Sequence, residues 1–330
     1  RVLFRSDMAS EFGWEYHLVD EGWKKWGKTV PESMDKVAQL ASYAAGKQVG
    51  IWVWVRWSDV NNPANDWESM RSFFSSLAKT GIKGIKIDFM DSASRERLAF
   101  YDAVAENLAK NKLMVNFHGA NTPTGEERSW PHEMSREGIY GGEQNIWAAI
   151  GGRHYCALPF TRLVSGHADF TGGYFGHGPK LRGSSWPLQM AANIIYTSPV
   201  LHWVSNPADM EAAFPKGSPE REAVRNIPSV WDETIVLPPS AIGECAAFAR
   251  RSGDQWYIAL MNGDGRERTV SIPLDFLNRN TAYRATILRD LPEKNDGWKV
   301  ENRELHSGST LSFTMRVKGG GIARLVPAGK

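Results

Sequence analysis

Lys86 and Asp88 stand two residues apart in the run 84–89, which continues through Met90 to Asp91. On an extended strand that spacing puts both side chains on one side. The ammonium can then keep the carboxylate ionised and also donate to a hydroxyl, and an ionised, held carboxylate is what a nucleophile needs. A structural ion pair is the plain alternative. A second group is Arg136-Glu137-Gly138-Ile139-Tyr140-Gly141-Gly142-Glu143-Gln144-Asn145, where two Glu lie six apart around three Gly. Glycine backbone lets side chains come close to a ligand, and a Glu near aromatic walls can be held protonated to act as a general acid. With Asp88 such a Glu would make a pair of carboxylates able to cleave a glycosidic bond. A solvated loop with incidental Glu is the alternative here.

Other candidates are weaker. Asp20-Glu21-Gly22-Trp23 follows an apolar run, and an Asp beside an aromatic suits hydroxyl binding with stacking; an ordinary turn reads the same way. Asn116 and His118 suit hydroxyl or metal-side contacts, although a lone His such as His118 is commonly structural. Asp169, in Ala168-Asp169-Phe170-Thr171-Gly172-Gly173, is either a turn residue or a site residue. The 14 Trp could supply walls that stack on sugar rings, or could simply fill a large core.

The elements that position these residues alternate. Apolar runs at 16–20, 50–56, 84–89, 113–118, 134–137, 161–166 and 199–204 read as buried parallel strands. Between them 32–46, 67–80 and 94–110 carry helical periodicity, through Met34, Val37, Leu40 and Ala41, then Met70, Phe73, Phe74 and Leu77, then Leu98, Tyr101, Val104 and Leu108. The segment 7–12 before them reads as a short helix. The polar candidates fall at the carboxyl ends of the runs, as the rim of a (β/α)8 barrel requires. Seven strands are counted, so the barrel's first strand is expected to be missing. An open doubly wound sheet is the alternative, but no Gly-rich phosphate loop follows any strand. Beyond Pro238-Pro239 the texture changes. Runs at 246–250, 255–261, 268–272, 282–288 and 321–326, with turns at Asn262-Gly263-Asp264-Gly265 and Asn295-Asp296-Gly297, read as an antiparallel β-sandwich. The expected domains are therefore 1–237, catalytic, and 238–330, β-sandwich.

Charge and composition narrow the partners. Across 330 residues, 39 Lys and Arg oppose 37 Asp and Glu, which argues against nucleic acid as the main partner. No run of 18 apolar residues predicts a membrane span. Cys156 and Cys245 have no metal-ligand spacing and are not expected to bridge. Metalloprotease, P-loop and nucleophile-elbow spacings are absent. The opening Arg1-Val2-Leu3-Phe4-Arg5-Ser6 reverse-translates to a sequencing adapter, so it is expected to be foreign to the natural protein.

Several segments in order resemble glycoside hydrolase family 97. They are Glu15-Tyr16-His17-Leu18-Val19-Asp20-Glu21-Gly22-Trp23, Gly84-Ile85-Lys86-Ile87-Asp88-Phe89-Met90-Asp91, Met114-Val115-Asn116-Phe117-His118-Gly119, Ser135-Arg136-Glu137-Gly138 with Gly142-Glu143-Gln144-Asn145, Pro159-Phe160-Thr161-Arg162, Asp169-Phe170-Thr171, Val230-Trp231-Asp232-Glu233-Thr234 and Ala249-Arg250-Arg251. The resemblance implies a barrel, a C-terminal β-sandwich and an N-terminal β-domain that this sequence lacks, in keeping with a truncated chain. The family has inverting α-glucosidases and retaining α-galactosidases. Where the inverting branch carries its Glu bases, this sequence has Arg56 or its neighbours and Gly119, and Asp88 stands where the retaining branch has its nucleophile. The resemblance therefore implies a retaining α-galactosidase with Asp88 as nucleophile, Glu143 as acid/base and carboxyl groups about 5–5.5 Å apart. An α-glucosidase, or a binding-only or inactive fragment, is the alternative. It further implies Asp20, Trp23, Trp54, Lys86, Asn116, His118 and Asp169 as substrate contacts, Glu137 as a calcium ligand, an oligosaccharide or glycoside as the partner, and a periplasmic or secreted location.

Overall fold

The computed structural model describes residues 2–177 and 181–329; Arg1 of the expected foreign hexapeptide lies outside them. Two compact units divide the chain, one ending at Ile139 and one starting at Tyr140. The boundary expected at 237/238 falls inside the second unit.

The first unit is built on five parallel strands in the order β1 (Tyr16–Val19), β2 (Gly50–Arg56), β3 (Gly84–Asp88), β4 (Met114–Phe117) and β5 (Glu133–Arg136). Helices α1 (Val2–Phe12), α2 (Val30–Ala45), α3 (Ala64–Ala78) and α4 (Arg95–Lys110) connect or precede them. The starts of α2 and α4 obey capping chemistry: Thr29 Oγ1 accepts from the Glu32 N–H and Ser94 Oγ from the Arg97 N–H, each at 3.3 Å. In α3 the residues Asn65, Asp66 and Trp67 have positive φ, so regular turns begin after them, close to the expected start. The helices bury Val37, Leu40, Met70, Phe74, Leu77, Phe100, Val104 and Leu108 against Ile51, Val53, Val55, Ile85, Ile87, Val115 and Phe117 of the sheet. Leu98, expected on that face, is exposed, and Phe100 takes its place.

Period-two alternation then dictates the opposite face. In register across the sheet, Trp54 pairs with Lys86, Lys86 with Asn116 and Asn116 with Ser135; one pleat further on, Arg56 pairs with Asp88. Gly84 is required beside them, because a Cβ there would come within 2.4 Å of the Trp52 ring.

The second unit begins with α5 (Gly152–Ala157), α6 (Trp186–Ile195), α7 (Pro207–Ala213) and α8 (Pro219–Val224). Two expected strands do not form. Residues 161–166 curl instead into short 3-10 turns, where the Arg162 guanidinium donates to the Gly166 and His167 carbonyls of its own loop. Residues 199–204 keep an isolated parallel bridge, Gly172 to Trp203; Pro199 has no N–H to give a ladder. The strands β6 (Glu233–Val236), β7 (Cys245–Ser252), β8 (Gln255–Asn262), β9 (Arg268–Pro273), β10 (Tyr283–Arg289), β11 (Lys299–Leu305), β12 (Thr310–Met315) and β13 (Gly320–Pro327) follow. Six of them form an antiparallel sheet in the order β11-β10-β13-β8-β7-β6, while β12 pairs with β9. Ala247, Ile258, Leu260, Ile287 and Leu325 of the larger sheet share one apolar core with Ile272, Leu311, Phe313 and Met315 of the smaller, as a sandwich requires.

The larger sheet's other side is covered by α5 and α6, and α6 is buried along its whole length. Arg250 of β7 donates to the Ile194 carbonyl at 2.9 Å, and Cys156 of α5 sets its thiol 3.2 Å from the Met261 carbonyl. The unit boundary therefore precedes these helices: they use the β-domain as their core. Cys245 belongs to the sandwich core, and both cysteines are free thiols. Among the described residues no helix is long and apolar enough to cross a membrane.

Candidate active site

Asp88 closes β3 with each carboxylate oxygen held. Oδ2 accepts from the indole N–H of Trp54 at 2.8 Å, and Oδ1 from the backbone N–H of Phe89 at 2.6 Å. The second bond follows from a sharp turn: Phe89 and Asp91 both have positive φ, and the Asp91 N–H donates to the Gly119 carbonyl at 2.6 Å. This left-handed backbone is a local strain that persists where surrounding contacts impose it. Phe89 meets Trp54 edge to face at 6.0 Å and carries the Arg56 guanidinium 4.6 Å over its ring. Trp54 is thus a donor to Asp88 with little exposed ring, rather than a bare stacking wall.

Lys86 and Asn116 are buried in the preceding row. Their burial on the face opposite the apolar core marks a polar interior layer rather than a solvated edge, and buried polar groups of this kind need partners.

His118 and Glu137 lie at the carboxyl ends of β4 and β5. His118 Nε2 is 3.3 Å from Glu137 Oε1, both side chains being buried, and Glu137 Oε2 accepts from the Gly119 N–H at 2.7 Å. Gly119 and Gly138, both at positive φ, shape this corner; a Cβ on Gly138 would press within 2.8 Å of the Asn121 and Thr122 backbone. Below it, Arg136 is fully buried in an ion pair with Glu133 and reaches Glu126 at 3.2 Å and Asn121 at 3.1 Å. Burial pushes the Glu133 carboxyl up against the pull of Arg136. This network anchors the loop 121–126 and is structural.

Glu137, the calcium ligand that the resemblance implies, offers hard carboxylate oxygens of the kind calcium takes, with His118 beside it.

Two further expected contacts follow β1. Asp20 follows β1 and is exposed, its Oδ1 accepting from the Glu21 N–H at 2.9 Å. Trp23 is not a wall: it is 1% exposed, belongs to the helix-side core, and donates to the Trp54 carbonyl at 2.7 Å. An indole after a strand was ambiguous in sequence, and packing resolves it.

Glu143 belongs to the second unit, in a 3-10 turn, Gly142–Ile146. The turn is pinned to the segment 170–172: Gly142 N–H donates to the Phe170 carbonyl at 2.6 Å, and Glu143 N–H lies 3.4 Å from Thr171 Oγ1. Gly141 and Gly142 are needed for this approach, since a Cβ on either would come within 2.8 Å of a carbonyl of that segment. Asp169, in the same segment, is wholly buried and faces His202 Nδ1 at 2.8 Å. His202 was not singled out from the sequence. It sits in the misread run 199–204, and the signal that would have found it is the pairing of that run with 168–172.

The first unit is thus a parallel α/β sheet with carboxylates at its strand ends, and an antiparallel β-domain follows it. The chain belongs to glycoside hydrolase family 97: the family model Glycoside hydrolase 97 matches residues 6–139, and Glycosyl-hydrolase 97 C-terminal, oligomerisation matches residues 230–326. It is 33% identical over 320 residues to a probable retaining alpha-galactosidase of Streptomyces bingchenggensis, covering 95% of this chain and 48% of that protein. It is 32% identical over 304 residues to a retaining alpha-galactosidase of Bacteroides thetaiotaomicron, covering 86% and 43%. The fold is similar to that of a Glycoside Hydrolase Family 97 enzyme from Pseudoalteromonas sp. strain K8 in complex with acarbose, with a TM-score of 0.84 at 23% identity, covering 99% of this chain and 56% of that one. The chain spans about half the length of the curated relatives it matches.

Proposed function

We propose that the protein to which this chain belongs is a retaining, exo-acting α-glycosidase that removes terminal α-galactosyl groups, and that the five strands of the first unit are part of a (β/α)8 barrel. The observation that carries this reading is the hold on Asp88, with one N–H on each oxygen. Two donors fix the direction of the carboxylate, as a nucleophile needs. The likeness to two retaining alpha-galactosidases supports the galactoside.

In the first displacement the Asp88 carboxylate attacks the anomeric carbon. The bond to the leaving oxygen breaks, and that oxygen takes the proton of the Glu143 carboxyl group. A β-linked glycosyl ester of Asp88 results. In the second, water attacks the same carbon, its proton passes to the Glu143 carboxylate, and the ester bond to Asp88 breaks. Two inversions restore the α-configuration. Lys86, Asn116 and Asp20 are assigned to sugar hydroxyls, and the location to the periplasm or the cell exterior. No step runs through a calcium ion.

Asp88→Ala tests the nucleophile. Turnover of an aryl α-galactoside should fall by at least about a thousandfold, and azide should partly restore it by giving a β-galactosyl azide. Undiminished turnover in the variant would refute the assignment.

A further inference from the structure

His202 has the environment of a ligand-reading imidazole. Its side chain is 14% exposed, and Nδ1 faces the buried carboxylate of Asp169 at 2.8 Å. Opposite a carboxylate, Nδ1 carries the proton, and the carboxylate fixes the tautomer and orientation of the ring. Nε2 makes no hydrogen bond among the described residues, yet it is not one of the unpartnered polar atoms sealed from solvent. The ring is thus enclosed on its Nδ1 side and open at Nε2.

Its position is equally defined. The segment 202–204 runs beside 168–172, bridged at Gly172 and Trp203, with the Val204 N–H donating to the Gly172 carbonyl at 3.1 Å. The turn bearing Glu143 is pinned to the same segment through Phe170 and Thr171. One backbone segment therefore carries Glu143 and His202, and its own Asp169 holds His202. Asp169 is fully buried, so it acts through the imidazole rather than on a ligand directly.

We propose that His202 is a specificity-determining residue whose Nε2 hydrogen-bonds a hydroxyl of the pyranose held beside Glu143, with Asp169 as its positioning residue. The proposal rests on the assignment of Glu143 above. An imidazole oriented in this way presents Nε2 to a hydroxyl, the group that a polyol ring supplies.

The test uses the intact protein and three readouts. His202→Asn retains a polar group at the Nδ1 position and removes Nε2. It should lower kcat/KM for an aryl α-galactoside about tenfold, the worth of one neutral hydrogen bond. A set of monodeoxy aryl galactosides then separates binding from structure. For the wild type, one deoxy substrate should be about tenfold poorer than its parent, and for His202→Asn that same penalty should vanish while the others remain. In the wild-type protein, the 15N resonance of His202 Nε2 should shift on saturation with galactose, a readout that needs neither turnover nor a folded variant. Deoxy penalties identical in wild type and variant, or an unmoved Nε2 resonance in a protein that binds galactose and turns over galactosides, would overturn the proposal alone. A protein that neither binds nor cleaves galactosides or glucosides would overturn the reading beneath it as well.

Discussion

Asp290 offers the sharpest stability prediction. It follows β10 and ties down the turn between β12 and β13, its Oδ2 accepting from the backbone N–H groups of Arg316 and Gly320, each at 3.0 Å. The turn packs so tightly on it that a Cβ on Gly319 would lie 1.9 Å from that oxygen. Burial, against those hydrogen bonds, pushes its carboxyl from 3.8 up to about 6. The folded state therefore holds a proton that the unfolded chain releases, and stability falls as the pH rises from about 4 through about 6. At 1.36 kcal/mol per pH unit the change is about 3 kcal/mol. Asp290→Asn keeps an acceptor for both N–H groups and never ionises. Urea unfolding followed by Trp fluorescence from pH 4 to pH 8 should show the two proteins alike at pH 4. At pH 8 the variant should be more stable by about 3 kcal/mol, a midpoint shift of roughly 1 M for a chain with a slope near 3 kcal/mol/M. Parallel curves for the two proteins would refute the argument.

His17 should act in the opposite direction. It is buried against Ser6, with Ser6 Oγ 2.9 Å from Nδ1, and burial, helped by Arg5, lowers it from 6.5 to about 4. The unfolded chain binds the extra proton, so about 3 kcal/mol of stability present above pH 6.5 is lost as the pH falls toward 4; urea unfolding of His17→Asn, whose side chain cannot titrate, should lack that loss. Trp54→Phe keeps a ring against Phe89 but removes the N–H from Asp88, an interaction with a charged group worth about 1.5–3 kcal/mol. Steady-state kinetics on an aryl α-galactoside should show kcat/KM about ten- to a hundredfold lower; an unchanged value would mean that this hydrogen bond does not serve the reaction.

The first five strands and the helices between them were legible because their apolar residues recur at periods that only one packing satisfies. The same periodicity put Lys86 and Asp88 on one face, and the register confirms that they stand beside Trp54 and Arg56. The runs 161–166 and 199–204 misled because their β-branched and aromatic residues mimic strands. Local hydrogen bonds of Arg162 and the missing N–H of Pro199 decide otherwise, and neither effect has a periodicity. Pro238-Pro239 follows β6, the first strand of the β-domain, while α5 and α6 draw their core from that domain's sheet, a packing that no local composition signals. Trp23 and His202 show the limit for single residues: residue type could not tell that the core absorbs Trp23, nor that His202 stands against the buried Asp169.

The central claim is that Asp88 forms a glycosyl ester and so preserves the anomeric configuration. Proton NMR of the intact protein acting on an aryl α-galactoside and on an aryl α-glucoside reads this directly, because the first anomer released appears before mutarotation mixes the two. The account predicts α-galactose first, from the galactoside in preference to the glucoside. β-Galactose appearing first would mean a single inverting displacement and would remove Asp88 from its role.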